Sequence, residues 1–242
     1  MAYAPVNGLH LYYEIHGSGR PVVLLHGGLM TIDLNWGPLL GPLASSKQVI
    51  AVELQGHGHT PDTGRPMTID ALASDVVGLL DHLGMESADL VGFSLGGLVA
   101  YAVALNSPSR VGKLIVASAD PQRPPGRESA PLGDDRMPTA ADFQAMRDAY
   151  EAVAPDPTKF DELAARASKM AHEFPGWTDE LRSLEAPTLL IFGDRDFSPL
   201  ADVVATFDLL PNAQLAVLPG TTHVVVTRRP SVVLALITTF LE

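Results

Sequence analysis

Cysteine is absent from the 242 residues, so neither a disulfide framework nor a thiolate site can exist. Basic side chains are in the minority: 16 Lys and Arg stand against 28 Asp and Glu, a formal net charge of -12. Nucleic-acid affinity rests on Lys and Arg displacing counterions, so no nucleic-acid partner is expected and a neutral or weakly charged small-molecule substrate fits better. No apolar run approaches the roughly 20 residues needed to span a bilayer, and Met1 to Glu14 has no basic region followed by an apolar core. No membrane association is expected, and a cytoplasmic location is the default. Low-complexity tracts and interdomain linkers are missing as well. With 46% hydrophobic and 18% charged residues, the chain reads as one globular α/β domain with a sizeable core.

What is present centres on Gly92-Phe93-Ser94-Leu95-Gly96-Gly97, set between the apolar run Ala88 to Val91 and the small-residue run Leu98 to Leu105. A strand delivered into a helix through so tight a turn lifts the middle side chain clear of the backbone. Glycines at 92 and 96 leave no Cβ to collide, so Ser94 can occupy a strained conformation with its hydroxyl outward.

The rest of the chain supplies a frame for that turn. Asn7-Gly8 between extended segments predicts an N-terminal antiparallel hairpin. Pro21 to Leu25 and Gln48 to Leu54 are short apolar runs ending in His26-Gly27-Gly28 and Gly56-His57-Gly58-His59. With Ala88 to Val91 they suggest parallel strands whose C-terminal ends share one edge, where ligands bind in open α/β sheets. Thr68 caps an amphipathic helix carrying Leu72, Val76, Leu79, Leu80 and Leu83, which Gly84 ends. Lys113 to Ser118 is the next strand, followed by Asp120. Residues Pro121 to Asp135 then turn rich in Pro, Gly and charge, and helical patterns follow at Ala140 to Ala154 and Thr158 to Glu173. The strand pattern resumes at Pro187 to Phe192 before Gly193-Asp194-Arg195-Asp196. A helix from about Pro199 to Leu210, a strand from Gln214 to Leu218, the loop Pro219 to His223 and a helix after Pro230 complete the alternation. Such an order calls for a mainly parallel, doubly wound sheet covered on both faces.

A serine attacks a carbonyl usefully only if it loses its proton as it attacks, so it needs a base, an orienting carboxylate and donors for the oxyanion. His223 is the best base. Asp196 carries most weight as the carboxylate, with Asp120 as a rival and Asp194 a further alternative. The order Ser94, Asp196, His223 is that of the nucleophile-elbow hydrolases. His57 and His59 form an H-x-H pair, but with no carboxylate or third histidine nearby in the sequence they read as loop or hydrogen-bonding residues rather than metal ligands. Neither a metal nor another cofactor is expected.

These residues resemble the α/β-hydrolase superfamily, in particular its small serine-hydrolase branch of esterases, lactonases, carbon-carbon hydrolases and cofactor-free perhydrolases. The resemblance implies an α/β-hydrolase core over residues 1-120 and 186-242, with a helical cap over 121-185. It also implies oxyanion donors at the backbone N-H groups of Gly28 and Leu95. Haloalkane dehalogenases and typical epoxide hydrolases of this fold place Asp at the elbow, so Ser94 argues against both. Leu29, Phe93, Phe143, Met146 and Phe197 are the expected pocket residues, with Phe143, Met146 and Tyr150 on one cap helix and Phe160, Leu163 and Met170 on the other. The expectation is hydrolysis of a small, neutral, largely apolar ester or lactone. Carbon-carbon hydrolysis or peracid formation are the alternatives, the former needing a cation such as Arg123, Arg127 or Arg147. A non-catalytic receptor is a third reading, and oligomeric state stays open.

Overall fold

A computed structural model describes residues 2–122 and 134–242; Arg123 and Arg127 lie outside the described residues. Eight strands form one sheet: β1 (Ala2–Val6), β2 (Leu9–His16), β3 (Pro21–Leu25), β4 (Gln48–Val52), β5 (Ala88–Phe93), β6 (Val111–Ala117), β7 (Thr188–Gly193) and β8 (Ala213–Leu218). Their spatial order is β1-β2-β4-β3-β5-β6-β7-β8. β1 pairs antiparallel with β2, and β2 with β4; every other pairing is parallel. The predicted hairpin turns at Asn7 and Gly8, both at positive φ (49° and 81°), as the tight hairpin turn requires. β5 and β7 are buried along their whole length, which is why they read as unbroken apolar runs rather than alternating ones.

Helices cover both faces: α1 (Ile32–Ala44), α2 (Ile69–His82), α3 (Leu95–Asn106), α4 (Ala140–Val153), α5 (Phe160–Glu173), α6 (Leu200–Leu209), α7 (Val225–Arg228) and α8 (Pro230–Leu241). Thr68 caps α2 by accepting the Ala71 N-H, and Gly84 follows its end at φ 66°. Leu83, expected on the apolar face, packs half-buried against the core as the C-cap. α3 packs closely because its small residues permit it: a Cβ on Gly97 would lie 2.5 Å from that of Ala119. Between β6 and β7 the described residues form helices and no strand. Thr139 and Asp142 close a reciprocal capping box at the start of α4. No described helix is long and apolar enough to cross a membrane.

One helix was not expected from the sequence. α1 contains Pro38 and Pro42, each of which removes an intrahelical hydrogen bond and crowds the preceding turn at a typical cost of about 3 kcal/mol. Burial of Ile32, Trp36, Leu39, Leu40 and Leu43 against the sheet offsets that cost, at about 1.5–3 kcal/mol for each large side chain. Thr31 starts the helix by accepting the Leu34 N-H.

Candidate active site

Strand β5 ends at Phe93 and α3 begins at Leu95, leaving one residue to make the turn. That residue is Ser94, at φ 50° and ψ -115°, a conformation that costs about 1–3 kcal/mol outside glycine. The surroundings enforce it. A Cβ on Gly92 would lie 2.3 Å from Gly96 O, and a Cβ on Gly96 would lie 2.1 Å from Leu25 O, so neither position admits a side chain. The Ser94 N-H is held by Ala117 O at 2.9 Å, which ties the turn to the end of β6.

The Ser94 hydroxyl lies 3.0 Å from His223 Nε2. His223 stands in the loop after β8, and its Nδ1 lies 3.1 and 3.3 Å from the two oxygens of Asp196, in the loop after β7. Sequence separations of 129 and 27 residues are thus closed into one hydrogen-bonded chain at the C-terminal edge of the sheet. Burial alone would raise the Asp196 carboxyl. The His223 charge and hydrogen bond, the Ser198 N-H and the adjacent Ser118 hydroxyl outweigh it and hold the group below the usual carboxylate range. Asp196 is therefore an anion in a buried setting. With Nδ1-H donated to that anion, Nε2 is free to accept from Ser94. Phe197 packs on the imidazole at a 31° tilt with centroids 4.1 Å apart and Phe93 lies at 5.4 Å, so the ring is fixed by packing as well.

The two rival carboxylates have other work. Asp194 accepts the Thr221 N-H at 3.1 Å, and this bond together with the Gly220 N-H keeps it ionised and clamps the loop that carries His223. Asp120 accepts from the Gln122 N-H and the Thr206 hydroxyl, at 3.1 and 3.0 Å. No bond from either to His223 is found among the described residues.

Gly28 faces the start of α3: a Cβ added there would meet Leu95 at 3.9 Å. The Leu95 N-H belongs to the first helical turn, where no intrahelical acceptor exists. The segments that carry the Gly28 and Leu95 N-H groups therefore lie side by side at the start of α3. His26 holds this loop rather than titrating in it. Its Nε2 accepts the Leu54 N-H at 3.0 Å, so Nδ1 carries the proton and donates to Gly27 O at 2.8 Å. Burial, with some help from His57, pushes its pKa down to about 3. Asn35 Oδ1 accepts the Gly27 N-H at 2.9 Å.

Three of the expected pocket residues keep surface for a ligand: Leu29 and Phe197 are half-buried, and Phe143 is 37% exposed on the first turn of α4. The other two do not. Phe93 is 2% exposed, and its ring would be 2.7 Å from a Cβ on Gly27, so it supports the loop from beneath. Met146 is buried in the helical insertion, as are Tyr150, Phe160, Leu163 and Met170. The insertion bonds to the core at two places. Asp142 beside Phe143 binds Arg228 just beyond His223, while Arg166 on α5 binds Asp62 in the loop after β4. The pair His57 and His59 gathers no metal-binding group of three or more ligands among the described residues. His57 bonds Gln55 O and His59 bonds Glu53 instead. Glu53 itself was missed from the sequence, because a lone Glu at a strand end gives no sign that it will be buried.

Comparison with known proteins agrees with this architecture. Residues 20–162 match the family model described as alpha/beta hydrolase fold. A non-heme haloperoxidase of Rhodococcus erythropolis is 30% identical over 98% of this chain and 97% of its own length. A 2-hydroxy-6-oxononadienedioate/2-hydroxy-6-oxononatrienedioate hydrolase of Pseudomonas putida is also 30% identical, over 89% of this chain and 85% of the relative. Among solved structures, an N-acyl homoserine lactone degrading enzyme superposes with a TM-score of 0.77 at 26% identity, covering 98% of this chain and 99% of that one. The enol-lactonase of Burkholderia xenovorans LB400 shares the fold, with a TM-score of 0.74 at 22% identity over 99% of both chains. Matched by the family model over more than half its length and by a full-length relative, the chain belongs to the alpha/beta hydrolase family.

Proposed function

We propose that this protein is a serine hydrolase of small, neutral, largely apolar carboxylic esters or lactones. The observation that carries the reading is the continuous chain Ser94 Oγ, His223 Nε2, His223 Nδ1, Asp196, with links of 3.0 and 3.1 Å. In this reading Ser94 attacks the carbonyl carbon while its proton passes to His223 Nε2. The imidazolium so formed is stabilised by Asp196, and the carbonyl oxygen, now an oxyanion, accepts from the Gly28 and Leu95 N-H groups. Collapse breaks the bond to the alkoxide, which takes the proton from His223. Water, deprotonated by His223, then releases the acid and restores Ser94. For a lactone the alcohol and acid are the two ends of one product.

Among the described residues, the charges around the site favour a neutral substrate. Arg228 is bound to Asp142, Arg195 to Asp135 and Arg166 to Asp62. Arg147, one cation a carbon-carbon hydrolase of this type would use for an anionic substrate, is committed to Asp161 and Glu151 and lies 4.5 Å over the Phe160 ring. In this reading Leu29, Phe197 and Phe143 supply apolar surface beside the nucleophile. Residues 121-185 act as the cap, with Phe143 at the substrate's end of it. The non-heme haloperoxidase relative favours a second reading, in which peroxide replaces water at the acyl-enzyme and a peracid leaves.

The test is labelling by a fluorophosphonate followed by mass mapping, with turnover of p-nitrophenyl acetate, a lactone panel and a ring-cleavage diketone acid. Modification of Ser94 with turnover of the ester or lactone set is the expected result. Folded protein that resists the probe, or that cleaves only the diketone acid, would overturn the reading. Faster product formation with added peroxide and a carboxylic acid would favour the second one.

A further inference from the structure

The loop after β4 carries residues that the triad chemistry leaves unused, and they share one centre. Glu53 is 2% exposed. Its Oε1 accepts the Ile32 N-H at 3.2 Å, its Oε2 accepts the His59 N-H at 2.6 Å, and His59 Nδ1 lies 2.9 Å from the same oxygen. A Cβ on Gly58 would lie 2.3 Å from the carboxylate, so the turn closes directly around it. Next to it the Thr60 hydroxyl donates to the Glu53 carbonyl at 2.7 Å and accepts the Tyr12 N-H at 2.9 Å, while the His59 ring stacks on Tyr12. Burying a carboxylate costs several kcal/mol unless donors surround it. Three donors from two separate segments do so here, which makes Glu53 a deliberate anchor rather than a stray surface charge.

The segment it anchors is the oxyanion loop. Ile32 is the first residue of α1 and closes the stretch that begins at His26. At the near end of that stretch, His26 is pinned by the N-H of Leu54 and Gly27 by Asn35. At the far end, Ile32 is pinned by Glu53. Gly28 lies between the two pins, and both lead to adjacent residues, Glu53 and Leu54. The same turn receives the insertion: Leu163 on α5 would be 3.2 Å from a Cβ on Gly56, and Asp62 binds Arg166.

Resting on the serine-hydrolase reading above, we propose that Glu53 is a positioning residue for the oxyanion hole, setting the direction of the Gly28 N-H by holding the Ile32 N-H at the other end of the loop. Because the 53–62 turn also seats α5, the seating of the cap and the aim of the donor share one anchor. Glu53 touches no reacting atom, so its loss acts on transition-state stabilisation and not on ground-state binding.

The experiment uses the full chain and Glu53→Gln, which keeps shape and one acceptor for the two His59 donors but sets its amide N-H against the Ile32 N-H. It reads kcat and KM on p-nitrophenyl acetate, the inhibition constant of an aryl trifluoromethyl ketone whose hemiketal oxyanion occupies the hole, and the melting temperature. Expected are a kcat lowered roughly 10- to 100-fold, a KM within about threefold of wild type, and ketone inhibition weakened by the same factor as kcat/KM. His59→Phe keeps the ring on Tyr12 and the backbone donor but removes the ring donor, so it should show a smaller loss with the same pattern. A folded Glu53→Gln that keeps its kcat, or that loses kcat while keeping ketone affinity, would overturn the proposal. Should Glu53→Gln not fold, an unchanged kcat and ketone affinity in His59→Phe would overturn it instead. A wild-type protein that neither hydrolyses esters nor binds the ketone would sink the serine-hydrolase reading itself, whereas an active wild type with unaffected variants removes only the role of Glu53.

Discussion

Replacing Asp196 by Asn tests the whole hydrogen-bonded chain with a change of one atom type. In the wild type Asp196 Oδ1 accepts the Ser198 N-H at 3.1 Å and both oxygens face His223 Nδ1, at 3.1 and 3.3 Å. An asparagine that keeps its oxygen towards the Ser198 N-H places its NH2 where Oδ2 stood, 3.3 Å from His223 Nδ1, and leaves one oxygen to serve both N-H donors. The amide N-H now competes with that oxygen for Nδ1 and favours the tautomer whose proton sits on Nε2, the nitrogen 3.0 Å from Ser94 that must take the serine proton. In either tautomer the imidazolium loses its anion. Amidating the orienting carboxylate of a serine triad costs about 10⁴-fold in kcat, which is about 5.5 kcal/mol of barrier. Initial rates on p-nitrophenyl acetate beside a thermal melt measure the loss in folded protein. The substitution also removes an acid-sensitive contribution to stability. The Asp196 carboxyl is held below its usual range, so it stabilises the fold above the unfolded value of about 3.9 and loses that effect as pH falls towards the folded one. Retention of more than about a tenth of wild-type kcat would refute the assignment. So would a larger loss from Asp120→Asn, since Asp120 bonds Thr206 and Gln122 and should matter mainly for stability.

Ser94→Gly should abolish ester turnover yet leave the protein no less stable, because relief of about 1–3 kcal/mol of backbone strain outweighs the extra entropy of an unfolded glycine; a lower melting temperature would count against strain at the elbow. Burial lowers His26 to about 3 and His57 to about 4, whereas both rings protonate near 6.5 once unfolded. The unfolded chain therefore binds more protons below about pH 6.5, and stability should fall with acidity by up to about 1.4 kcal/mol per pH unit for each ring. Urea midpoints between about pH 7 and pH 5 check this, and a slope unchanged in His57→Gln would contradict it. Phe143→Ala should shift selectivity between short and long acyl chains by roughly 1–3 kcal/mol. Met146→Ala should instead cost about 2–5 kcal/mol of stability, because that side chain is buried. Competition assays and melts on the pair separate the two effects, and identical behaviour would show that the exposed and buried faces of α4 had been misread.

The sequence by itself determined whatever depends on neighbours along the chain. Unbroken apolar runs mark strands buried on both faces, Asn7-Gly8 marks a hairpin, and Thr68 with Gly84 brackets α2. Glycines at 92 and 96 announce a backbone approach too close for a side chain, which the 2.3 and 2.1 Å contacts bear out. The fold, and the elbow serine with its bracketing glycines, were therefore legible before any coordinates. Tertiary structure decided what depends on partners far apart in sequence. Asp194 and Asp196 are two residues apart after the same strand, and only the direction of the loop sends one carboxylate to the Gly220 and Thr221 amides and the other to His223. α1 was hidden because Pro38, Pro42 and their neighbouring glycines speak against a helix locally, while burial of Trp36, Leu39 and Leu43 overrides them. The expected cap stripe split for the same reason: Phe143 and Met146 share a helical period, but only Met146 meets the packed interior. Glu53 carried no local signal, since a carboxylate at a strand end is ordinarily solvated. It became an anchor only when the fold brought the Ile32 and His59 N-H groups to it and closed the Gly58 turn over its charge.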